Sequence, residues 1–347
     1  MKRAAFWLIA FVVPSVLLVC AAEFVVRWRA TGGPVAALAS FQPRDRDPAT
    51  WLTEDSDLGY KLNPAHESVS SLGIRHRELG PKGRDDWRVI VVGDSVAWDR
   101  DGFVSHIRDR LDADARRRFE VINAAIPGYT THQERILLER DLLSLRPNLV
   151  LLQYCMNDNH RFLHQLDESG HWIMTPEARG VASWLPGWVA ESYLVKRIRW
   201  RLLARSRAER ESRDVFPWRK SPEFGNAWRD ETWPAQEKLI RAMRDATAHS
   251  GSRLAIIAVP YGPQLEDQAL ALDAAYTLKP QQKLAEVANR LGLPFLDLHP
   301  AFLGSRDEPL FRDRIHLTDA GHRLVADEIM AFIVRENLLD PSALSGP

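Results

Sequence analysis

The sequence predicts an α/β protein, a central parallel sheet with helices on both faces, preceded by one N-terminal transmembrane helix. Three observations carry this. Short β-rich runs alternate with helical patterns of about 10–15 residues, the rhythm of strands joined by crossover helices. The first of those runs, Arg88-Val-Ile-Val-Val92, is almost wholly apolar, as a strand covered on both faces is. Ahead of them, Ala4 to Ala22 is apolar except for Pro14 and Ser15, and Phe24-Val25-Val26 extends the run past Glu23.

The N-terminal run opens with Met1-Lys2-Arg3 and ends near Trp28, which Arg27 and Arg29 flank. A helix needs about 20 apolar residues to cross a bilayer, and an interfacial tryptophan suits its far end. Residues 4–26 are therefore assigned to a transmembrane anchor in contact with the lipid bilayer. This is preferred over a cleaved signal peptide, whose apolar region is usually about 7–15 residues, and over a buried core helix. Cys20 would suit a lipoprotein, but the bulky Val19 before it argues against that processing. The rest of the chain is expected outside the cytoplasm, periplasmic or at the cell surface. Residues 27–55, rich in Pro, Gly and Asp from Thr31 onward, read as a linker.

Arg88–Val92 is followed by a helix over Phe103–Leu111, a strand over Phe119–Asn123 and a helix over His132–Leu143. The strand Leu149–Gln153 comes next. After an irregular stretch come the helix Pro234–His249, the strand Arg253–Val259, the helix Gln281–Leu291 and the short strand Pro294–Asp297. A last helix covers Asp319–Arg335. The stretch from Asn159 to Trp233 breaks the rhythm and holds seven of the twelve tryptophans: 172, 184, 188, 200, 218, 228 and 233. Between Lys196 and Arg213 it carries eight basic residues against two acidic ones. It reads as an inserted subdomain or lid at about 159–233.

Composition excludes several classes. Lys plus Arg and Asp plus Glu both number 46, so the whole chain has no electrostatic case for nucleic acid. Two cysteines, Cys20 and Cys155, offer neither a disulfide framework nor a cysteine metal site. No cofactor or metal is expected.

Ligands of open α/β sheets bind beyond the carboxyl ends of the strands. The first strand ends in Gly93-Asp94-Ser95, where a serine can be exposed at a strand-to-helix turn and nearby amides can donate to an anion. By itself the tripeptide equally suits an ordinary turn with Ser95 as a helix cap. It is not a Gly-x-Ser-x-Gly elbow, because Ala97 holds the last position. A serine nucleophile needs a base, and the base an orienting acid. Asp313-Arg-Ile-His316 and Asp319-Ala-Gly-His322 offer the same spacing. Thr318 is a good N-cap, which puts His322 in the first turn of the last helix and leaves His316 on the loop before it. The pair Asp313–His316 is preferred for that reason, with Asp297–His299 a weaker third pairing.

Gly-Asp-Ser after the first strand, with Asp-x-x-His before the last helix, resembles the SGNH/GDSL hydrolases, including membrane-tethered bacterial members. The resemblance covers about residues 56–338. Four blocks match in order: Val91-Val92-Gly93-Asp94-Ser95, Asn123-Ala-Ala-Ile-Pro-Gly128-Tyr-Thr, Met156-Asn157-Asp158, and Asp313-Arg-Ile-His316-Leu-Thr-Asp-Ala-Gly321. Upstream, Gly73-Ile-Arg75-His-Arg77-Glu78 looks like the leading segment of some tethered members. The resemblance implies a three-layer α/β/α, flavodoxin-like sandwich. It implies Ser95, Asp313 and His316 as catalytic residues. Ser95, Gly128 and Asn157 would form the oxyanion hole. One departure stands out: Cys155 replaces the glycine usual two residues before the asparagine, which demands ordinary backbone angles there or strain. A buried structural thiol is preferred over a nucleophile at Cys155.

The expected activity is hydrolysis of ester-linked acyl groups, O-acetyl above all, through an acyl-serine. The expected substrate is a small-molecule or carbohydrate ester, with envelope carbohydrate suggested by the anchor and by tryptophans that can stack on sugars. Those tryptophans fit a small core equally well. An O-acyltransferase using the same residues is the first alternative, and a non-catalytic envelope scaffold or glycan-binding module the second.

Overall fold

The computed structural model describes residues 2–31, 33–34, 51–76, 78–114, 118–166, 172–175, 192, 194–195, 216, 218 and 221–339. The chain divides into two compact units, Met1–Asp47 with Gly180–Asp214, and Pro48–Arg179 with Val215–Pro347.

In the first unit the apolar N-terminal run forms helix α1 (Lys2–Thr31), with Pro14 inside it. Among the described residues, however, no helix is long and apolar enough to cross a membrane, so the expected transmembrane helix is not borne out. The described side chains of α1 span only 13–29 and include Glu23, Arg27 and Arg29, fewer apolar groups than a crossing requires. Glu23, the charge that interrupts the run, is provided for. It accepts from Arg27 Nε at 2.7 Å, from the Ser192 hydroxyl at 2.7 Å and from the Leu194 amide at 2.8 Å, as a buried carboxylate must.

The second unit holds the α/β body. It begins with an antiparallel hairpin, β1 (Leu52–Asp55) and β2 (Gly59–Leu62), so the segment read as a linker is helical to Thr31 and already strand at Leu52. β3 (Trp87–Val92), α2 (Phe103–Asp114), β4 (Phe119–Asn123), α3 (Thr131–Leu137) and β5 (Leu149–Tyr154) follow. The hairpin β6 (His164–Leu166) and β7 (Trp172–Met174) comes next. Then come α4 (Trp233–His249), β8 (Arg253–Ala258), α5 (Asp267–Thr277), α6 (Lys279–Leu291), β9 (Phe295–Asp297), α7 (His299–Gly304) and α8 (Asp319–Arg335).

Five strands form one sheet in the order β4-β3-β5-β8-β9, and every neighbouring pair is parallel. In chain order this is 2-1-3-4-5, the flavodoxin-like arrangement. Residues 88–92 and the whole of β5 are buried, which is why these strands read as unbroken apolar runs. Arg88 and Gln153 are the polar exceptions, and the Arg88 guanidinium bonds Glu120 at 2.6 Å and the Leu145 carbonyl at 2.6 Å. Helix α2 packs on α8, while α3 and α6 pack on α4, two groups that serve the two faces of the sheet.

The predicted helix His132–Leu143 is α-helical only to Leu137 and continues as a π turn, Leu138–Leu142. Helices α5 and α7 were not expected. α5 buries only Ala269 and Thr277 and leaves Leu272 exposed, so no apolar stripe announces it. α7 is six residues long, too short to show a period. Of the seven tryptophans in the region read as an insertion, Trp218, Trp228 and Trp233 are buried core and Trp172 is exposed; the other three, with Lys196–Arg213, lie outside the described residues.

Candidate active site

The connection from β3 leads to β4 on one side of the sheet, and the chain after β5 leads to β8 on the other. The crevice between two such strands, at their carboxyl ends, is where this topology opens to a ligand. Gly93-Asp94-Ser95 leaves β3 there, and Cys155–Asp158 leaves β5 beside it.

Gly93 is required by close approach rather than by a tight turn. A Cβ on it would stand 2.4 Å from Gln153 Oε1 of β5. That oxygen accepts the Asp94 amide at 3.2 Å. Asp94 is fully buried; its Oδ1 accepts the Val96 amide at 2.9 Å and its Oδ2 the Asn157 side-chain amide at 2.8 Å. Burial pushes the Asp94 carboxyl above its ordinary range, while these bonds and the nearby His316 oppose the shift. The Ser95 turn is thus built on a carboxylate that also grips the neighbouring strand.

His316 reaches this turn from the loop before α8. Its Nε2 lies 2.9 Å from Ser95 Oγ and its Nδ1 2.7 Å from Asp313 Oδ2. A carboxylate only accepts, so Nδ1 carries the proton and Nε2 is left to accept from the serine hydroxyl. Asp313 Oδ1 also accepts the Ile315 and His316 amides, both at 2.9 Å. Burial alone would raise the Asp313 carboxyl, but these amides and the imidazole outweigh it and hold the group below its usual range. Asp313 therefore stays charged in mildly acidic solution.

The rival histidines are occupied elsewhere. His322 is buried, with Nδ1 accepting the Phe103 amide at 3.2 Å and Nε2 3.0 Å from Asp99 Oδ2. Thr318 caps α8 through the Gly321 amide at 3.2 Å, as expected. His299 is buried with its Nε2 3.2 Å from the Gln264 carbonyl.

Gly128 and Asn157 complete the set. The Ile126 amide donates to the Gly93 carbonyl at 3.0 Å, stitching the Gly128 loop to the end of β3. Gly128 has φ +74°, and a Cβ there would come within 2.5 Å of His164 and 2.7 Å of Trp172. Both the backbone and the space demand glycine. Among the described residues neither the Ser95 nor the Gly128 amide has an acceptor. Asn157 spends one amide proton on Asp94 and retains a second. Cys155 has no positive φ, so the replacement of glycine brings no strain of that kind. Burial, with Asp94 and Asp158 nearby, pushes its thiol well above the ordinary range, which disfavours the thiolate a nucleophile needs.

Beneath these groups lie two buried carboxyls that sequence reasoning missed. Asp158 Oδ2 accepts the Cys155 amide at 2.6 Å and so closes the turn that presents Asn157. Glu134, on α3, is buried, and among the described residues neither of its carboxyl oxygens is hydrogen-bonded. Only its place on the buried side of an amphipathic helix could have signalled it. Burial, then the Asp158 and Asp94 charges, hold the Glu134 carboxyl well above its ordinary range. The folded chain therefore keeps a proton that the unfolded chain releases near about pH 4.3. The contribution of Glu134 to stability is full below that pH and falls as pH rises toward the raised value, by at most about 1.4 kcal/mol per unit. Glu134→Gln is expected to flatten that slope, read by urea denaturation at several pH values; an unchanged slope would assign the loss to other groups.

Residues 91–324 match the GDSL-like lipase/acylhydrolase family, and among curated proteins none matches the chain. Solved structures with a similar course include a point mutant of Axe2, an acetyl-xylooligosaccharide esterase from Geobacillus stearothermophilus. It is 15% identical with a TM-score of 0.45, covering 74% of this chain and 96% of that one. The acetyl xylan esterase AlAXEase is 18% identical at a TM-score of 0.40, covering 70% and 98%. The two-domain esterase CEX, active on acetylated mannans, is 16% identical at 0.43, covering 76% of this chain and 52% of its own. The match over most of the α/β body makes this chain a member of the GDSL-like lipase/acylhydrolase family, a serine ester hydrolase of the SGNH type.

Proposed function

We propose that Ser95 is the nucleophile of an esterase that removes short acyl groups, O-acetyl above all, from carbohydrate through an acyl-serine intermediate. The observation that carries this is the chain of contacts Asp313–His316–Ser95. His316 Nε2 takes the hydroxyl proton as Oγ attacks the ester carbonyl, and Asp313 stabilises the imidazolium that forms. His316 then returns the proton to the departing alkoxide and activates the water that hydrolyses the acyl-serine. The amides of Ser95 and Gly128 and the second amide proton of Asn157 are the donors for the oxyanion. Tyr60, His164 and Trp172 crowd Gly128, which favours a short acyl group over a long chain.

Ser95→Ala is expected to abolish hydrolysis of p-nitrophenyl acetate without unfolding the protein, and Asn157→Ala to lower kcat by about 10²–10³. Wild-type activity confined to long-chain esters would overturn the short-acyl reading. Full activity of Ser95→Ala would remove the nucleophile.

The membrane remains part of the proposal. Val16, Leu17, Leu18 and Val19 of α1 are each more than half exposed, an apolar stretch that calls for a cover. The proposed cover is the bilayer, with the catalytic unit outside the cytoplasm. The full-length chain is then expected to stay with membranes through alkaline carbonate washing; its release would refute the tether.

A further inference from the structure

We propose that the outer face of Trp172 is a sugar-ring subsite of the proposed esterase, placed beside the glycine that would supply an oxyanion donor. This rests on the carbohydrate-ester reading of the site. Within the α/β unit the described residues include two exposed tryptophans, Trp51 and Trp172. Neither is a loose surface ring. Trp172 lies flat on His164, with centroids 3.9 Å apart and planes at 16°. Tyr60 meets it edge-on at 6.4 Å. With one face backed by an imidazole and an edge against Tyr60, Trp172 still leaves 43% of its surface to solvent.

Its position gives that open surface a use. The ring stands within 2.7 Å of where a Gly128 Cβ would be, so whatever stacks on it lies next to the reacting ester. Burial lowers His164 to about 4, the Gly128 backbone partly opposing. The backing imidazole is therefore neutral at physiological pH and puts no positive charge behind the indole. The electron-rich indole face turned away from His164 would suit a partner with positive edges, which the C–H face of a pyranose provides. A ring already held in place loses little conformational freedom on binding.

The arrangement recurs. Trp51 lies on His66, centroids 3.8 Å apart at 30°, and meets Trp98 edge-on at 6.1 Å. Trp98 follows the nucleophile by three residues. A second ring-backed tryptophan thus packs against the segment that follows Ser95, and a second stacking ring would suit an oligosaccharide better than a single acetylated sugar.

The test compares the full-length wild type with Trp172→Ala and Trp172→Leu on two esters, partially O-acetylated cellotriose and p-nitrophenyl acetate. Both variants are expected to lower kcat/KM for the sugar ester about ten-fold more than for p-nitrophenyl acetate, mainly through KM. Equal losses on the two esters would overturn the subsite and make Trp172 a packing residue against Gly128. Leucine keeps apolar bulk without the π face, so it carries the comparison if alanine unfolds the hairpin. Binding separates this from the catalytic reading: Ser95→Ala protein is expected to show saturation transfer to unacetylated cellotriose, and Ser95→Ala/Trp172→Leu to lose it. Absence of transfer in Ser95→Ala overturns the subsite whatever the enzyme hydrolyses.

Discussion

Asp94 couples the ends of two adjacent strands, and the site depends on that coupling. Its carboxylate, wholly buried at the end of β3, accepts from Val96 on its own turn and from Asn157 beyond β5. A buried carboxylate is tolerable only when its oxygens are satisfied, so neither partner is free to drift. The first bond shapes the turn that exposes Ser95. The second orients the Asn157 amide, because only the nitrogen can face a carboxylate. The parallel register of β3 and β5 brings the two turns side by side. Gly93 permits the approach by leaving room for Gln153.

The loop that carries His316 is held in a similar way from both ends. The Arg312 amide donates to the His316 carbonyl at 2.8 Å, and Phe311 bridges to Leu317. Beyond it, the Thr318 cap starts α8, and Gly321 lets the helix approach the Leu310 carbonyl, which a Cβ would meet at 2.3 Å. His322 then fastens the first turn of α8 to the start of α2 through the Phe103 amide and Asp99. The second histidine thus serves the placement of the first. His316 already stands within hydrogen-bond reach of both Ser95 and Asp313, the preorganisation on which the proposed mechanism relies.

Much of this was legible in the sequence because it is written locally. The apolar runs at 89–92 and 149–152 announced strands covered on both faces, and Thr318 as a helix cap placed His322 in the first turn of α8 and His316 on the loop before it. What escaped was written between distant segments. Glu134 is unremarkable on a helix until Asp158 and Asp94 are folded against it. The reason for Gly93 is a side chain on another strand, and the ease of Cys155 is a backbone angle that no spacing reveals. Trp218, Trp228 and Trp233 looked like material for a lid, yet they are core. Tryptophan content says how much apolar area must be covered and not by what. Trp172 shows the converse, since only its neighbours distinguish it from the buried three. The membrane helix was read from hydropathy alone, and among the described residues that reading lacks the length it needs.

The central claim is that Ser95 is the residue activated by this arrangement. Peptide mapping after labelling with a serine-reactive fluorophosphonate tests it most directly. The account predicts a single adduct on Ser95, lost in His316→Ala; an adduct on another serine, or undiminished labelling of Ser95→Ala, would contradict it.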